Sequence, residues 1–346
     1  MEALHAEMGA WAARLKDLGY RIATVYVGGG TPTILPLRDL VHLLDRIWAI
    51  FQVEDGAEFT VEANPGTVDR PKLKAMLDAG VNRLSLGAQA FQDSLLEGLG
   101  RIHTAREIVE AFCLARDAGF RNINLDIIYA LPGQTMASWE ETLEAVTRLD
   151  PEHVSAYGLM LEEGTRLWER VTGGVVEACD EDTEVRMYYA AKDILEESGY
   201  EHYELSNFSK PGYRCLHNIG YWKIMPYIGL GAGAHSYFGR WRFNNVYDAE
   251  EYTERMSRGA MPVEGGREIS KAEEMSDFMI LGLRMLEGVS DREFRKRFGV
   301  GISDVFGEAL GKCNSLGLAE WDGSSIRLTR RGLMLSNEVM RDFLIP

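Results

Sequence analysis

Thiols are few in this chain: Cys113, Cys179, Cys215 and Cys313 are the four cysteines in 346 residues. They are scattered and share no short spacing. That excludes a disulfide framework, a zinc site of paired cysteines and a C-x-x-x-C-x-x-C cluster loop drawn from any three of them. Positive charge is also scarce, with 37 Lys and Arg against 53 Asp and Glu and a net charge of −16. Such a field repels a polyanion, so no nucleic acid is expected as a partner. The basic run from Arg292 to Arg297 is short and reads as the solvated face of a helix. No apolar run approaches the roughly 20 residues that cross a bilayer. Residues Met1 to Lys16 mix charged and apolar side chains and lack the layout of a secretory signal. No transmembrane segment and a cytoplasmic location are therefore expected.

What is present is an alternation of short β-branched runs with amphipathic stretches. Strands are expected at Ile22–Val27, Glu58–Glu62, Arg83–Leu86, Asn122–Tyr129 and His153–Tyr157, with a weaker one near Tyr200–Leu205. Helices are expected at Leu37–Phe51, Asp69–Ala79, Ala105–Ala118, Trp139–Leu149 and Asp182–Glu197. Thr104-Ala105-Arg106-Glu107 and Ser270-Lys271-Ala272-Glu273 are capping boxes, each marking a helix start. Strand–helix units of about 30 residues imply right-handed βαβ crossovers and a parallel sheet. Both a (β/α) barrel and an open doubly wound sheet satisfy that pattern, and both place function at the carboxyl ends of the strands. Residues 206–265 lose the repeat and read as a bridging segment, aperiodic from Asn207 to Asn245. Residues 266–346 read as helices Asp291–Phe298 and Ile302–Leu316, a two-strand wing at Leu318–Trp321 and Ile326–Leu328, and a last helix. That is a small winged-helix-like domain.

Polar and glycine-rich residues collect where the first four strands end. Gly28-Gly29-Gly30-Thr31 is either a tight strand-to-helix turn or a ligand cradle, and no Gly-Lys-Ser/Thr follows to make it a P-loop. Glu62 and Asp126 are carboxylates in otherwise apolar strands, with Gln89 and Arg101 between them in sequence. Such convergence favours a site over an internal salt bridge. Gly229 to Ala234 fits a dinucleotide fingerprint only loosely. Its aromatic surroundings and late position reject that reading. Cys215-Leu216-His217-Asn218-Ile219-Gly220-Tyr221-Trp222 sets one thiol, one imidazole and two large aromatic faces close together. A structural role and a seat for a flat ligand such as a porphyrin, with His or Cys as axial ligand, are equally served.

In order along the chain stand Tyr26-Val27-Gly28-Gly29-Gly30-Thr31-Pro32-Thr33, Val61-Glu62-Ala63-Asn64-Pro65, Gly87-Ala88-Gln89-Ala90-Phe91, Arg101-Ile102-His103, Asn124-Leu125-Asp126-Ile127-Ile128-Tyr129 and Leu131-Pro132-Gly133-Gln134. This ordered set resembles the core of the coproporphyrinogen III oxidase-like family of radical-SAM proteins. His217-Asn218-Ile219-Gly220-Tyr221-Trp222 is similar to the H-N-x-x-Y-W signature of that family's HemW branch. The resemblance implies an α/β fold: an incomplete radical-SAM-type (β/α) barrel with parallel strands over residues 1–205, followed by the bridging segment and the family's C-terminal domain. It implies S-adenosylmethionine bound by Gly29, Gly30, Thr31, Glu62, Gln89, Arg101 and Asp126. It also implies haem associated with Cys215, His217, Asn218, Tyr221 and Trp222. No catalytic residue and no metal ligand is assigned.

Members of the family begin with a strand, a C-x-x-x-C-x-x-C loop and a helix that leads to the glycine-rich strand. Met1 falls within that helix, so the first strand and the three cluster cysteines are not in this sequence. The chain as written is therefore expected to assemble no 4Fe–4S cluster and not to cleave S-adenosylmethionine. A short start is favoured over a lost cluster. The same reasoning expects an unpaired sheet edge at Ile22–Val27, open to self-association. Three functional readings follow: a haem chaperone that hands haem to an acceptor protein, a coproporphyrinogen dehydrogenase, and a cluster-free binding scaffold. The H-N-x-x-Y-W stretch favours the first.

Overall fold

Strict alternation of polar and apolar side chains builds the main sheet, because successive residues of a strand point to opposite faces. The computed structural model describes residues 1–345. Its strands are β1 (Ile22–Val27), β2 (Val53–Ala63), β3 (Arg83–Gln89), β4 (Ile123–Tyr129), β5 (His153–Gly158), β6 (Glu201–Glu204) and β7 (Asn207–Ser209). They form one seven-stranded sheet in the order β1-β2-β3-β4-β5-β7-β6. Strands β2 to β5 pair in parallel, as the βαβ reading requires. One face carries Phe59, Val61, Leu84, Leu86, Leu125, Ile127 and Val154, all fully buried. The opposite face carries Thr60, Glu62, Arg83, Ser85, Asn124, Asp126, His153 and Ser155. Strand β1 stands at one edge of the sheet.

The helices between the strands follow the expected spans closely: Leu37–Ile50, Arg70–Asp78, Ala105–Ala118, Met136–Leu149 and Glu181–Glu197. Thr104 caps Ala105–Ala118 in the expected capping box. The sheet departs from expectation at its far end. The sixth strand does not continue the parallel series by itself. It turns through Leu205 and Ser206 into β7, which pairs antiparallel with both β5 and β6. Glu204 makes that two-residue turn by accepting hydrogen bonds from the Ser206 N–H and the Asn207 side chain.

The chain divides into two compact units, one comprising residues 24–44 and 56–214, the other residues 1–23, 45–55 and 215–346. In the second, the segment read as aperiodic contains regular structure. A helix, Leu216–Trp222, is followed by β8 (His235–Phe238) and β9 (Trp241–Asn245), and β10 (Val263–Glu268) completes a three-stranded antiparallel sheet. Gly239 and Arg240, both at positive φ, make the two-residue hairpin turn between β8 and β9. No long alternation announces these strands, because they are only four to six residues each and β10 is made largely of glycine and charged residues.

Helix Glu2–Asp17 belongs to the same unit, with Trp11 stacked on Phe243 at 5.7 Å. Its buried Glu7 accepts hydrogen bonds from Gly231 N–H, the Asn245 amide and the Tyr252 hydroxyl. The C-terminal region has the expected order: helices Lys271–Gly282, Asp291–Phe298 and Ile302–Ser315, then the wing. The wing strands are β12 (Ala319–Trp321) and β13 (Ser325–Leu328), joined by the short β11 (Val289–Ser290). No helix of the described residues is long and apolar enough to cross a membrane.

Candidate functional site

The carboxyl ends of β1 to β4 bring most of the expected residues together, and two glycines make this possible by close approach. At Gly28 a Cβ would lie 2.7 Å from the Glu62 carboxyl carbon and 2.8 Å from the Tyr26 ring. With no side chain there, the Tyr26 hydroxyl donates to Glu62 Oε1 at 2.8 Å, and the Gly29 N–H donates to the same carboxylate. At Gly87 a Cβ would stand 2.8 Å from Gln89 Nε2 and 2.9 Å from Asn64 Oδ1, so both amides lie across bare backbone. Asn64 in turn donates to Thr31 Oγ1 at 2.7 Å. Gly29 and Gly30 turn backbone toward open space, where a Cβ would meet nothing within 4 Å.

Behind these groups runs a row of register partners on the polar face of the sheet: Glu62, Ser85, Asn124 and His153, on four adjacent strands. The Asn124 amide donates to Asp126 Oδ1 at 2.9 Å and to Ser85 Oγ at 2.8 Å, and Ser85 donates to Asp126 Oδ2 at 2.9 Å. Asn124 Oδ1 is thereby left as an acceptor, so the His153 Nδ1, 2.6 Å away, carries the proton. His153 Nε2 is then the acceptor for the Tyr203 hydroxyl at 2.8 Å. The imidazole is fully buried, and burial together with the neighbouring Arg83 cation holds its pKa well below the ordinary value. It stays neutral, with one tautomer fixed.

Burial pushes both carboxyls above the ordinary range. For Glu62 burial leads, the Tyr26 hydrogen bond opposes it, and the nearby Asp126 charge adds to it. For Asp126 burial again leads, opposed by the Ser85 and Asn124 hydrogen bonds and by the buried Arg83. Two partly buried carboxyls, one raised further by the charge of the other, make a site suited to a cationic ligand. Of the expected residues, Gly29, Gly30, Thr31, Glu62, Gln89 and Asp126 gather here. Arg101 stands apart, exposed in the turn after helix Asp93–Gly98, and no hydrogen bond joins its side chain to these carboxylates among the described residues. Tyr26, Asn64, Ser85, Asn124, His153 and Tyr203 were not assigned roles from the sequence. Polar residues at alternate positions of β4 and β5, Asn124-x-Asp126 and His153-x-Ser155, were the signal available.

The second expected cluster lies on helix Leu216–Trp222. His217 and Tyr221 form one ridge four residues apart. His217 Nε2 is 2.9 Å from the Tyr221 hydroxyl, and the rings meet edge to face at 4.8 Å. Burial pushes the Tyr221 phenol up to about 12. Asn218 and Trp222 form the neighbouring ridge, and the Arg284 guanidinium lies 4.3 Å from the Trp222 ring. Cys215 is fully buried at the helix start. Among the described residues no three His, Cys, Asp or Glu side chains are grouped so as to hold a metal ion.

Residues 4–146 match the Radical SAM superfamily, and residues 269–335 match the HemN C-terminal domain. The chain is 37% identical to the heme chaperone HemW of Bacillus subtilis over 93% of this chain and 86% of that protein. The chain belongs to the HemW family. The Escherichia coli heme chaperone HemW is 32% identical over 94% of this chain and 85% of its own length. Among solved structures, the radical-SAM coproporphyrinogen III oxidase HemN of E. coli superposes with a TM-score of 0.86, at 22% identity, over 99% of this chain and 82% of that one. At that identity the likeness shows the fold alone: the curled, largely parallel half-barrel sheet is the expected one, and the small antiparallel sheet of β8 to β10 is an addition to it.

Proposed function

We propose that this chain is a haem chaperone that binds haem and S-adenosylmethionine and passes haem to an acceptor protein. The observation that carries the reading is its 37% identity to the B. subtilis heme chaperone across 93% of the chain. The strand-end residues fit S-adenosylmethionine. Bare backbone at Gly29 and Gly30 leaves room for an amino-acid end, and Thr31 and Gln89 offer polar contacts. Glu62 and Asp126 complement a ligand that carries an ammonium and a sulfonium. Arg101 is exposed and makes no ion pair among the described residues, which leaves its guanidinium available to a ligand carboxylate. S-adenosylmethionine supplies a sulfonium that radical-SAM proteins cleave reductively. Cys113, Cys179, Cys215 and Cys313 form no disulfide with one another, and among the described residues no three His, Cys, Asp or Glu side chains are grouped to hold a metal ion.

Haem is assigned to the helix that carries Cys215, His217, Asn218, Tyr221 and Trp222. For His217 to ligate iron through Nε2, it must exchange its Tyr221 partner for the metal. The cytoplasm is the proposed compartment. Hemin titrated into the protein should produce a Soret shift, and the loaded protein should pass its haem to apomyoglobin without consuming coproporphyrinogen III. A protein that leaves the hemin spectrum unchanged would overturn the reading.

A further inference from the structure

The hydrogen-bonded row behind the strand-end carboxyls is graded in exposure. His153, Asn124, Ser85 and Tyr203 are buried, none of them more than 3% exposed. Asp126 is the partly open member, and its charge reaches Glu62 across the site. Every donor in the row points towards it. His153 Nδ1 donates to Asn124 Oδ1 at 2.6 Å, the Asn124 amide donates to Ser85 and Asp126, and Ser85 donates to Asp126 again. The carboxylate thus receives one hydrogen bond from within on each of its oxygens. Each oxygen keeps a further lone-pair position for the donors of a ligand. Hydrogen bonds in series also strengthen one another.

The direction of the row is decided at the imidazole. The Tyr203 hydroxyl, 2.8 Å from Nε2, can donate or accept and so serves either tautomer. Asn124 serves one. With the proton on Nε2, Nδ1 would accept, and the Asn124 amide would have to turn its nitrogen towards the ring. Its oxygen would then face the Asp126 carboxylate, acceptor against acceptor. Ser155 donates to Asn124 Oδ1 as well, but at 3.1 Å it is the longer of the two bonds there. We infer that His153 is a positioning residue: by donating from Nδ1 it locks the Asn124 amide, and so fixes the plane in which Asp126 meets its ligand. Fully enclosed, it acts through Asn124 and not on the ligand. This deepens the S-adenosylmethionine reading of the same site and rests on it.

Two substitutions separate the two ring nitrogens. An asparagine amide reaches as far as a histidine Nδ1, and a glutamine amide as far as Nε2. His153→Asn therefore keeps the donor to Asn124, whereas His153→Gln keeps a partner for Tyr203 and withdraws that donor. The full chain is titrated calorimetrically with S-adenosylmethionine. His153→Gln should raise Kd roughly tenfold, the worth of one hydrogen bond, and His153→Asn should stay within about twofold of the parent. Equal effects of the two variants, or the reverse order, would reduce His153 to packing and overturn the role. Nitrogen-15 NMR of the histidine-labelled parent gives a second measurement that needs no variant to fold. It should show His153 with a proton on Nδ1 and none on Nε2 between about pH 6 and pH 8. A proton on Nε2 there would overturn the role. A parent chain that binds no S-adenosylmethionine would overturn the ligand reading, and the positioning role with it.

Discussion

Glu62 and Asp126 sit where burial resists ionisation, with the Asp126 charge adding to the effect on Glu62, and that shapes both ligand choice and stability. A carboxyl whose folded pKa is raised binds its proton more tightly in the native state, so it takes stability away as pH climbs from the ordinary carboxylate value through the raised one. Glu62→Gln should therefore show a shallower fall in urea midpoint from pH 4 to pH 8 than the parent, together with weaker S-adenosylmethionine binding by equilibrium dialysis. An unchanged slope would show that folding does not raise the Glu62 pKa. Buried histidines act with the opposite sign. His202, stacked on Phe208 at 4.2 Å, is lowered by burial to about 4. The unfolded chain takes up a proton below about pH 6.5 that the native side chain refuses, so stability is lost as pH falls from there towards 4. His202→Phe keeps the stack and should remove about one proton's worth of that slope, roughly 1.4 kcal/mol per pH unit. Gly87→Ala tests the close approach at the site. The new methyl would displace the Asn64 and Gln89 amides, which are flexible side-chain ends, so ligand binding should fall much more than thermal stability does.

Single elements are held in place by small polar devices that repetition in the sequence does not advertise. Glu7 connects helix Glu2–Asp17 to the Gly231 loop, β9 and the helix Ala249–Ser257 through three hydrogen bonds. Removing it strands three donors, each worth about 1–3 kcal/mol when buried and unpaired. Glu7→Ala should thus cost about 3 kcal/mol or more in chemical denaturation, and a loss below about 1 kcal/mol would mean that water replaces the carboxylate. Periodicity found the longer elements well. Strand β1 and the helices Ala105–Ala118 and Asp291–Phe298 have the spans read from sequence, because alternation or capping signals mark both of their ends. It missed β8 to β10 and gave helix Leu216–Trp222 no regular structure. A two-turn helix and strands of four to six residues are too short to display a period. The basic run of Arg292 to Arg297 shows the same limit. It is a helix with Arg292, Arg295, Lys296 and Arg297 all exposed as expected, and what the run does not show is that Arg297 pairs with Glu274.

At the scale of the whole molecule, charge and composition act without reference to any contact. A net charge of −16 should keep the protein off duplex DNA in a gel-shift assay at physiological salt, and retention there would show a basic surface that the sum conceals. The sequence by itself determined the alternation of strands and helices, the polar strand ends and the family, since these are properties of residue order and spacing. It also named Gly29, Thr31, Glu62, Gln89 and Asp126 before their neighbours were known. Only the tertiary structure decided what surrounds them. The row from Glu62 through Ser85 and Asn124 to His153 exists because four strands align in register, and register is set by pairing between segments far apart in the chain. The His153 tautomer and the separation of Arg101 from the carboxylates are likewise relations between distant residues. Each depends on distances across space, which a linear order of side chains does not contain.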